Sequence, residues 1–404
     1  MHESNISSMS KDTKYELRGV SATKEEVLDA IKDLDKGVFP NAFCKVIPDV
    51  VGGDAAYCNI MHADTAGTKT SLAYMYWAET GDVSVWEGIV QDALVMNLDD
   101  MGCVGCCSDI VLSSTIGRNK SLIPAEVLKT IITSTQDFLN LLGQYGIYVS
   151  HSGGETADVG DIVRTIDVGF TTFARMKRSD VVTFDIQPGD LIVGLSGSGQ
   201  TTWEQTYNSG IGSNGLTSAR HDVFNHTYAS KYPDAYNPLV PNELIFSGSK
   251  LLTDEIVIDD NIKTTMGNLV LSPTRTYLPI LKPIIESFRH AISGIVHCSG
   301  GGQTKVSKFM SENTTIFKDN LLPIPPLFKI IRQESGLTYR EMFQVFNMGH
   351  RMEIYVREKD VAESIIQMCS DVNLDAQIID RVDATPGQKS ILTCAEGEQI
   401  EYNH

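Results

Sequence analysis

The sequence predicts an α/β (α+β) subunit of two domains, on three observations. At 404 residues the chain exceeds the roughly 300 at which a single hydrophobic core stops growing, so two cores are expected. Its composition, 42% hydrophobic and 21% charged with 33 Gly and 14 Pro, is that of a folded globular protein. Helical and strand periodicities alternate through both halves, as they do in mixed layered domains.

Taken in order, residues 1–14 are polar and expected to fray. Thr23-Lys24-Glu25-Glu26 has the form of a capping box before Val27, Ala30, Ile31 and Leu34, whose spacing gives one apolar helical face. Ala56 to Ala63 reads as a strand running into the small and polar turn Asp64-Thr65-Ala66-Gly67-Thr68-Lys69. Val85 to Met101 has helical spacing, and Val104 to Ser114 reads as a buried strand. Pro124 suits the first turn of a helix whose face is Val127, Leu128, Ile131 and Ile132, with Gly143 at its end. A short strand, Ile147 to Ser150, precedes His151-Ser152-Gly153-Gly154-Glu155-Thr156, and a longer strand covers Ile162 to Met176.

The polar, turn-rich stretch Lys177 to Gly189 marks a boundary, giving domains 15–178 and 179–404. Beyond it a strand over Leu191 to Leu195 is expected, then an insertion near 225–261. A helix from Leu278 to Ile292, a strand from Gly294 to Cys298, the turn Gly300-Gly301-Gly302 and a final strand near Met352 to Val356 complete the prediction.

A formal net charge of -18 argues against nucleic acid or an anionic membrane surface as partner. An anionic small substrate then needs local donors: a lysine, an arginine, glycine-rich backbone or a bound cation. Eight scattered cysteines without a signal peptide read as reduced thiols of a cytoplasmic protein. Cys103-x-x-Cys106-Cys107 lacks a second ligand pair at zinc spacing and is read as packing beside Gly102 and Gly105. No apolar run approaches the roughly 18 residues of a membrane span.

Several constellations bear on chemistry. Asp64 stands five residues before Lys69 across a turn whose Gly67 and Thr68 let backbone approach a ligand, a pattern for magnesium and a polyphosphate or for a solvated turn. The paired acids Asp99-Asp100 are costly together unless a cation relieves them. Glu155 follows Gly153-Gly154 where a strand meets a loop. Gly194 to Thr201 nearly matches a phosphate-binding loop, but Gln200 replaces its lysine and the reading is rejected. Ser213-Asn214-Gly215 and Gly300-Gly301-Gly302 are further anion-tolerant turns, and Arg275 could fork onto a phosphate.

In order along the chain, Asp64-Thr65-Ala66-Gly67-Thr68-Lys69, Gly153-Gly154-Glu155-Thr156-Ala157-Asp158, Ser213-Asn214-Gly215, Pro273-Thr274-Arg275-Thr276-Tyr277, Gly300-Gly301-Gly302 after His297 and Phe346-Asn347-Met348-Gly349 resemble the aminoimidazole ribonucleotide synthetase (phosphoribosylformylglycinamidine cyclo-ligase) family. The resemblance covers roughly residues 15 to 356. It implies an ATP-dependent ring closure and a homodimer whose N-terminal sheets pair into a barrel. It also implies ATP and Mg2+ on the N-terminal motifs and a ribonucleotide held by the glycine loops. Catalytic roles would fall to Lys69, Asp100 and Glu155, and phosphate binding to Asp64, Gly67, Thr68, Lys69, Gly153 and Gly154. Metal would fall to Asp64, Asp99, Asp100 and Glu155, and substrate to Ser213, Asn214, Gly215, Arg275 and Gly300 to Gly302.

Five departures stand out, one of them an excursion after Arg220 that is longer than usual. Asp99-Asp100 replaces the usual Asn-Asp, and Gly212 stands where a histidine commonly precedes Ser-Asn-Gly. About a dozen extra residues separate Gly199 from Ser213, and His350-Arg351 interrupts a stretch usually small and apolar. Rival readings are another ATP-using member of the superfamily, such as a thiamine-phosphate kinase or selenophosphate synthetase-like enzyme, and a dimeric nucleotide-binding protein without catalysis.

Overall fold

A computed structural model describes residues 14–20 and 29–403. The capping box at Thr23 and the start of its helix lie outside the described residues; Ile31 and Leu34, read as its apolar face, are exposed.

The first sheet has five strands: β1 (Val46–Pro48), β2 (Tyr57–Thr65), β3 (Ile110–Arg118), β4 (Val149–Asp158) and β5 (Ile166–Lys177), in the order β1-β2-β5-β3-β4. All neighbours are antiparallel except β3 and β4. Helices α2 (Val85–Gly102) and α3 (Ala125–Gly143) follow the helical periods in the sequence, whereas α1 (Lys69–Thr80) begins at the lysine read as the end of a turn. α2 lies on β2 and β5, with α1 and α3 packed against it. It is buried nearly all round, from Trp86 to Met101 and including the polar Asp92, Asn97 and Asp99, because it is enclosed between this sheet and the second domain.

The second sheet has seven strands: β6 (Leu191–Ser196), β7 (Ile292–His297), β8 (Thr314–Lys318), β9 (His350–Val356), β10 (Ala376–Ala384), β11 (Lys389–Ala395) and β12 (Glu398–Asn403), in the order β7-β9-β6-β10-β8-β11-β12. Three of these lie beyond the strand read as the last one. Five helices of this half are α4 (Leu216–Val223), α5 (Leu278–Phe288), α6 (Pro326–Ser335), α7 (Tyr339–Val345) and α8 (Lys359–Ser370). The polar segment 225–261 contains short helical turns and the strand Glu255–Val257.

The two halves share one continuous core, and α2 meets α5 across it. The Cys103 run is part of that junction: a Cβ on Gly102 would come within 2.9 Å of Leu278, and one on Gly105 within 2.7 Å of the Asp180 carbonyl. Cys103, Cys106 and Cys107 are buried free thiols there. No helix among the described residues is long and apolar enough to cross a membrane.

Candidate active site at the domain junction

Asp64 ends β2 with its carboxylate exposed, one oxygen accepting the Thr65 N–H at 2.8 Å. Gly67 has φ +64° and open space on its side-chain side, so the turn stays accessible. Thr68 Oγ1 meets Thr217 Oγ1 at 2.7 Å, which ties this turn to the first turn of α4 just after Ser213-Asn214-Gly215.

Lys69 departs from the sequence reading. It begins α1 and is fully buried, its ammonium donating to Asp92 at 2.9 Å and to the Ser272 carbonyl. Burial lowers its pKa, and the Asp92 carboxylate opposes that shift. A lysine already neutralised inside the domain junction is not an exposed loop cation waiting for a phosphate.

The paired acids separate in role. Asp99 is fully buried and accepts from Thr276 Oγ1 at 2.7 Å and from the Tyr277 N–H at 2.9 Å. Burial pushes its pKa up to about 7. It therefore staples α2 to the Pro273–Tyr277 segment and leaves the metal set. Asp100 faces the junction, with Oδ1 2.7 Å from His297 Nδ1 and Oδ2 3.4 Å from His62 Nε2. Burial would raise its pKa, but the two histidines outweigh that and hold it far below the usual carboxylate range.

These contacts determine the protons. Arg351 Nε–H lies 2.9 Å from His297 Nε2 and can only donate, so Nε2 accepts and His297 carries its proton on Nδ1, toward Asp100. Burial first, then the Arg351 charge, lowers the His297 pKa to about 4, so the ring is neutral. Asn97 Nδ2 donates to the carbonyls of Asp64 and Ala93, which leaves its Oδ1 to accept from His62 Nδ1–H at 3.0 Å. Burial works against a charged His62, yet Asp100 prevails and its pKa is raised. One carboxylate thus joins a chargeable histidine of β2 to a neutral one of β7.

The Gly153-Gly154-Glu155 motif lies within β4 rather than in a loop. A Cβ on Gly154 would meet the Ser114 carbonyl at 2.0 Å, so glycine is required where β3 bulges against β4. Asp64 pairs across to Phe170, Phe170 to Ser114 and Ser114 to Gly154, which puts both acidic motifs on neighbouring rows of one sheet. Three interstrand steps nevertheless separate them by roughly 14 Å. Glu155 is exposed and cannot share one ion with Asp64 inside a subunit. The expected set of Asp64, Asp99, Asp100 and Glu155 is not brought together.

The substrate-side turns do meet. Asn214 Nδ2 lies 3.6 Å from where a side chain on Gly300 would start, and Gly302 presses against the Phe343 and Phe346 carbonyls. Asn347 Nδ2 donates to the Gly210 carbonyl at 2.7 Å, and Gln303 Nε2 donates to the carbonyls of Asn347 and His350. Phe346-Asn347-Met348-Gly349 therefore clamps both loops. Ser213 Oγ and Asn214 Oδ1 are buried without partners. Lys305 Nζ sits nearby, 2.6 Å from Ser299 Oγ.

Arg275 is also corrected. It is buried and forks onto Glu204 at 2.6 to 3.1 Å while its Nη1 donates to the carbonyls of Ser196 and Ser198. Its donors are committed inside the protein, so no phosphate can take the fork. Behind the loops, Cys298, His350 and Glu353 come close enough to resemble a metal cluster. Lys318 already pairs with Glu353 there, and Tyr355 donates to it at 2.8 Å, so the cluster is internally neutralised.

Sequence reasoning missed His62, Asn97 and Arg351 as members of the site. None of them carries a local signal: His62 shares its strand with Asn59 and Asp64, and Asn97 and Arg351 are recognisable only by contacts with residues distant in the chain.

Fold and site together define a two-domain α/β protein with acid, histidine, cation and glycine-loop groups converging where the domains join. The chain belongs to the AIR synthase related protein family, whose N-terminal domain model matches residues 48–176 and whose C-terminal domain model matches residues 187–393. Among curated relatives, a phosphoribosylformylglycinamidine cyclo-ligase of Methanocaldococcus jannaschii is 28% identical over 334 residues, 81% of this chain and 78% of that protein. One of Methanococcus maripaludis is 28% identical over 395 residues, 95% of this chain and 92% of that protein. Among solved structures, a chain of the HypE-HypF complex aligns with TM-score 0.54 at 15% identity, over 95% of this chain and 100% of that one. T. maritima PurL complexed with FGAR aligns with TM-score 0.51 at 13% identity. It covers 95% of this chain, which spans 50% of the PurL chain. Both likenesses are of fold.

Proposed function

We propose that this chain uses ATP to close the imidazole ring of formylglycinamidine ribonucleotide, yielding aminoimidazole ribonucleotide, ADP and phosphate for purine biosynthesis. The observation that carries this reading is the alignment of 95% of the chain with a methanogen protein named for that reaction. ATP phosphorylates the formyl-derived amide oxygen, and an internal nitrogen attacks the carbon that bears it. Phosphate leaves with the oxygen, and the nitrogen gives up its proton. Such chemistry needs positioning and charge neutralisation more than a protein nucleophile.

Residues 15–178 form the ATP and dimerisation half. Asp64, Gly67 and Thr68 approach the polyphosphate from β2, and Gly153, Gly154 and Glu155 approach it from β4. Residues 179–404 hold the ribonucleotide through Ser213, Asn214, Gly215 and Gly300 to Gly302. Asp100, between its histidines, faces the reacting centre. Because the four acids do not form one ligand set within a subunit, Mg2+ arrives on ATP, where the exposed Asp64 would meet it. The working unit is a cytoplasmic homodimer, supported by an apolar sheet face on the N-terminal half.

The test is direct. Purified full-length protein with ATP, Mg2+ and formylglycinamidine ribonucleotide is expected to give the aminoimidazole product with one ADP per ring. ATP hydrolysis that ignores the ribonucleotide, or ATP binding without turnover, would overturn the reading and favour the kinase-like or inactive rival respectively.

A further inference from the structure

Two of the departures noted in the sequence, Gly212 and Arg351, are distant in the chain and in contact in space. A Cβ added to Gly212, where φ is +64°, would lie 1.5 Å from Arg351 Nη1 and 2.7 Å from its Cζ. The guanidinium therefore occupies the volume of the side chain that Gly212 lacks. It is almost fully buried, donates Nε–H to His297 and approaches the Met96 sulfur at 3.8 Å through Nη2.

Asp99, Asp92 and Asp100 act on the Arg351 charge through space, but none of them touches it. Buried Arg18 and Arg275 each hold a carboxylate, Asp222 at 2.7 Å and Glu204 at 2.6 Å. Among the described residues no carboxylate forms an ion pair with Arg351. A buried guanidinium without a contacting carboxylate leaves part of its desolvation cost unmet. Directly beside Gly212 stand the unpartnered Ser213 Oγ and Asn214 Oδ1, with Gly300 across from Asn214 and Lys305 close enough for its charge to act on His297 and Asp100. In a chain of net charge -18, buried positive charge beneath unpartnered polar groups and glycine backbone is an anion-binding arrangement.

We propose that Arg351, seated in the space of Gly212, is the buried positive floor of a phosphomonoester subsite. It positions the Ser213-Asn214 turn opposite Gly300 to Gly302, and that turn contacts the phosphate of the ribonucleotide. Arg351 acts through the loop and through His297 and is a positioning residue, not a catalytic one. The inference deepens the ring-closure reading and rests on it for the identity of the whole ligand; the phosphate contact itself does not.

The experiment pairs ribose 5-phosphate binding, followed by calorimetry on the full-length protein, with KM for the ribonucleotide and for ATP. Arg351→Met is expected to weaken ribose 5-phosphate and raise the ribonucleotide KM by about 10- to 100-fold, the scale of a lost charge-assisted contact, with ATP KM within about twofold. Arg351→Lys should recover part of the loss. Gly212→Ala, which displaces the guanidinium without removing it, should act in the same direction, so the inference does not depend on one variant folding. It is overturned if ATP and ribonucleotide KM rise together, if only kcat falls, or if the unaltered protein does not bind ribose 5-phosphate. Arg351-dependent binding of ribose 5-phosphate without ring closure would sink the ring-closure reading and leave this subsite standing.

Discussion

Asp99 accepts two hydrogen bonds in a fully buried site, and burial still prevails, lifting its pKa from 3.8 to about 7. The sign of the pH effect follows. Between about pH 4 and 7 the folded state holds a proton that the unfolded state has released, so this group makes stability fall as pH rises through that window. Asp99→Asn can place its oxygen toward the Tyr277 N–H and its NH2 toward Thr276 Oγ1. The variant is expected to match the parent near pH 4 and to exceed it by about 1–4 kcal/mol at pH 8. Denaturant unfolding at both pH values checks this; an equal difference at the two would refute it. Residue-level reading of the sequence recognised that two adjacent acids need relief, but not that a proton and two donors relieve one while histidines relieve the other. Lys69 and Arg275 show the same limit, since nothing local reveals that Asp92 and Glu204 already neutralise them.

Elements were legible in proportion to how one-sided their burial is. α3 carries a polar face and an apolar one, and its bounds follow from Pro124 and Gly143. β4 is almost wholly exposed, so no alternation marks it, and backbone pairing with β3 extends it through Glu155 where a loop was expected. The last three strands did carry signals, alternating runs divided by Pro386-Gly387 and Glu396-Gly397. The insertion between Gly199 and Ser213 supplies Glu204, which pairs with Arg275 while Arg275 itself donates to the Ser196 carbonyl at the end of β6 and to the Ser198 carbonyl just beyond it. Glu204→Ala is therefore expected to cost about 3–5 kcal/mol by leaving a buried guanidinium unpaired. Glu204→Ala with Arg275→Met should regain much of that loss. Melting temperatures of the three variants decide it: additive losses would mean that the pair is not the insertion's structural role.

At the scale of the whole molecule, the site needs both domains, since His62 and Asp100 come from the first and His297 and Arg351 from the second. Among the described residues, α2 covers one face of the first sheet. On the other, Met61 and Val111 both pair with Phe173 to make an apolar row across three strands, with Met61 63% and Val111 44% exposed. The exposed edge strand β4, with Glu155, continues that sheet. An apolar row beside an unpaired edge is a surface that a monomer exposes at the risk of association. Pairing with a second copy removes that exposure, and it is also the only way Glu155 could approach an ion held by Asp64. Sedimentation is expected to show a dimer at micromolar concentration. Met61→Glu with Val111→Glu should shift it to monomer with little change in the melting of the second domain, and ATP turnover should fall with the dimer fraction. A monomeric variant retaining full turnover would leave the dimer without a catalytic role.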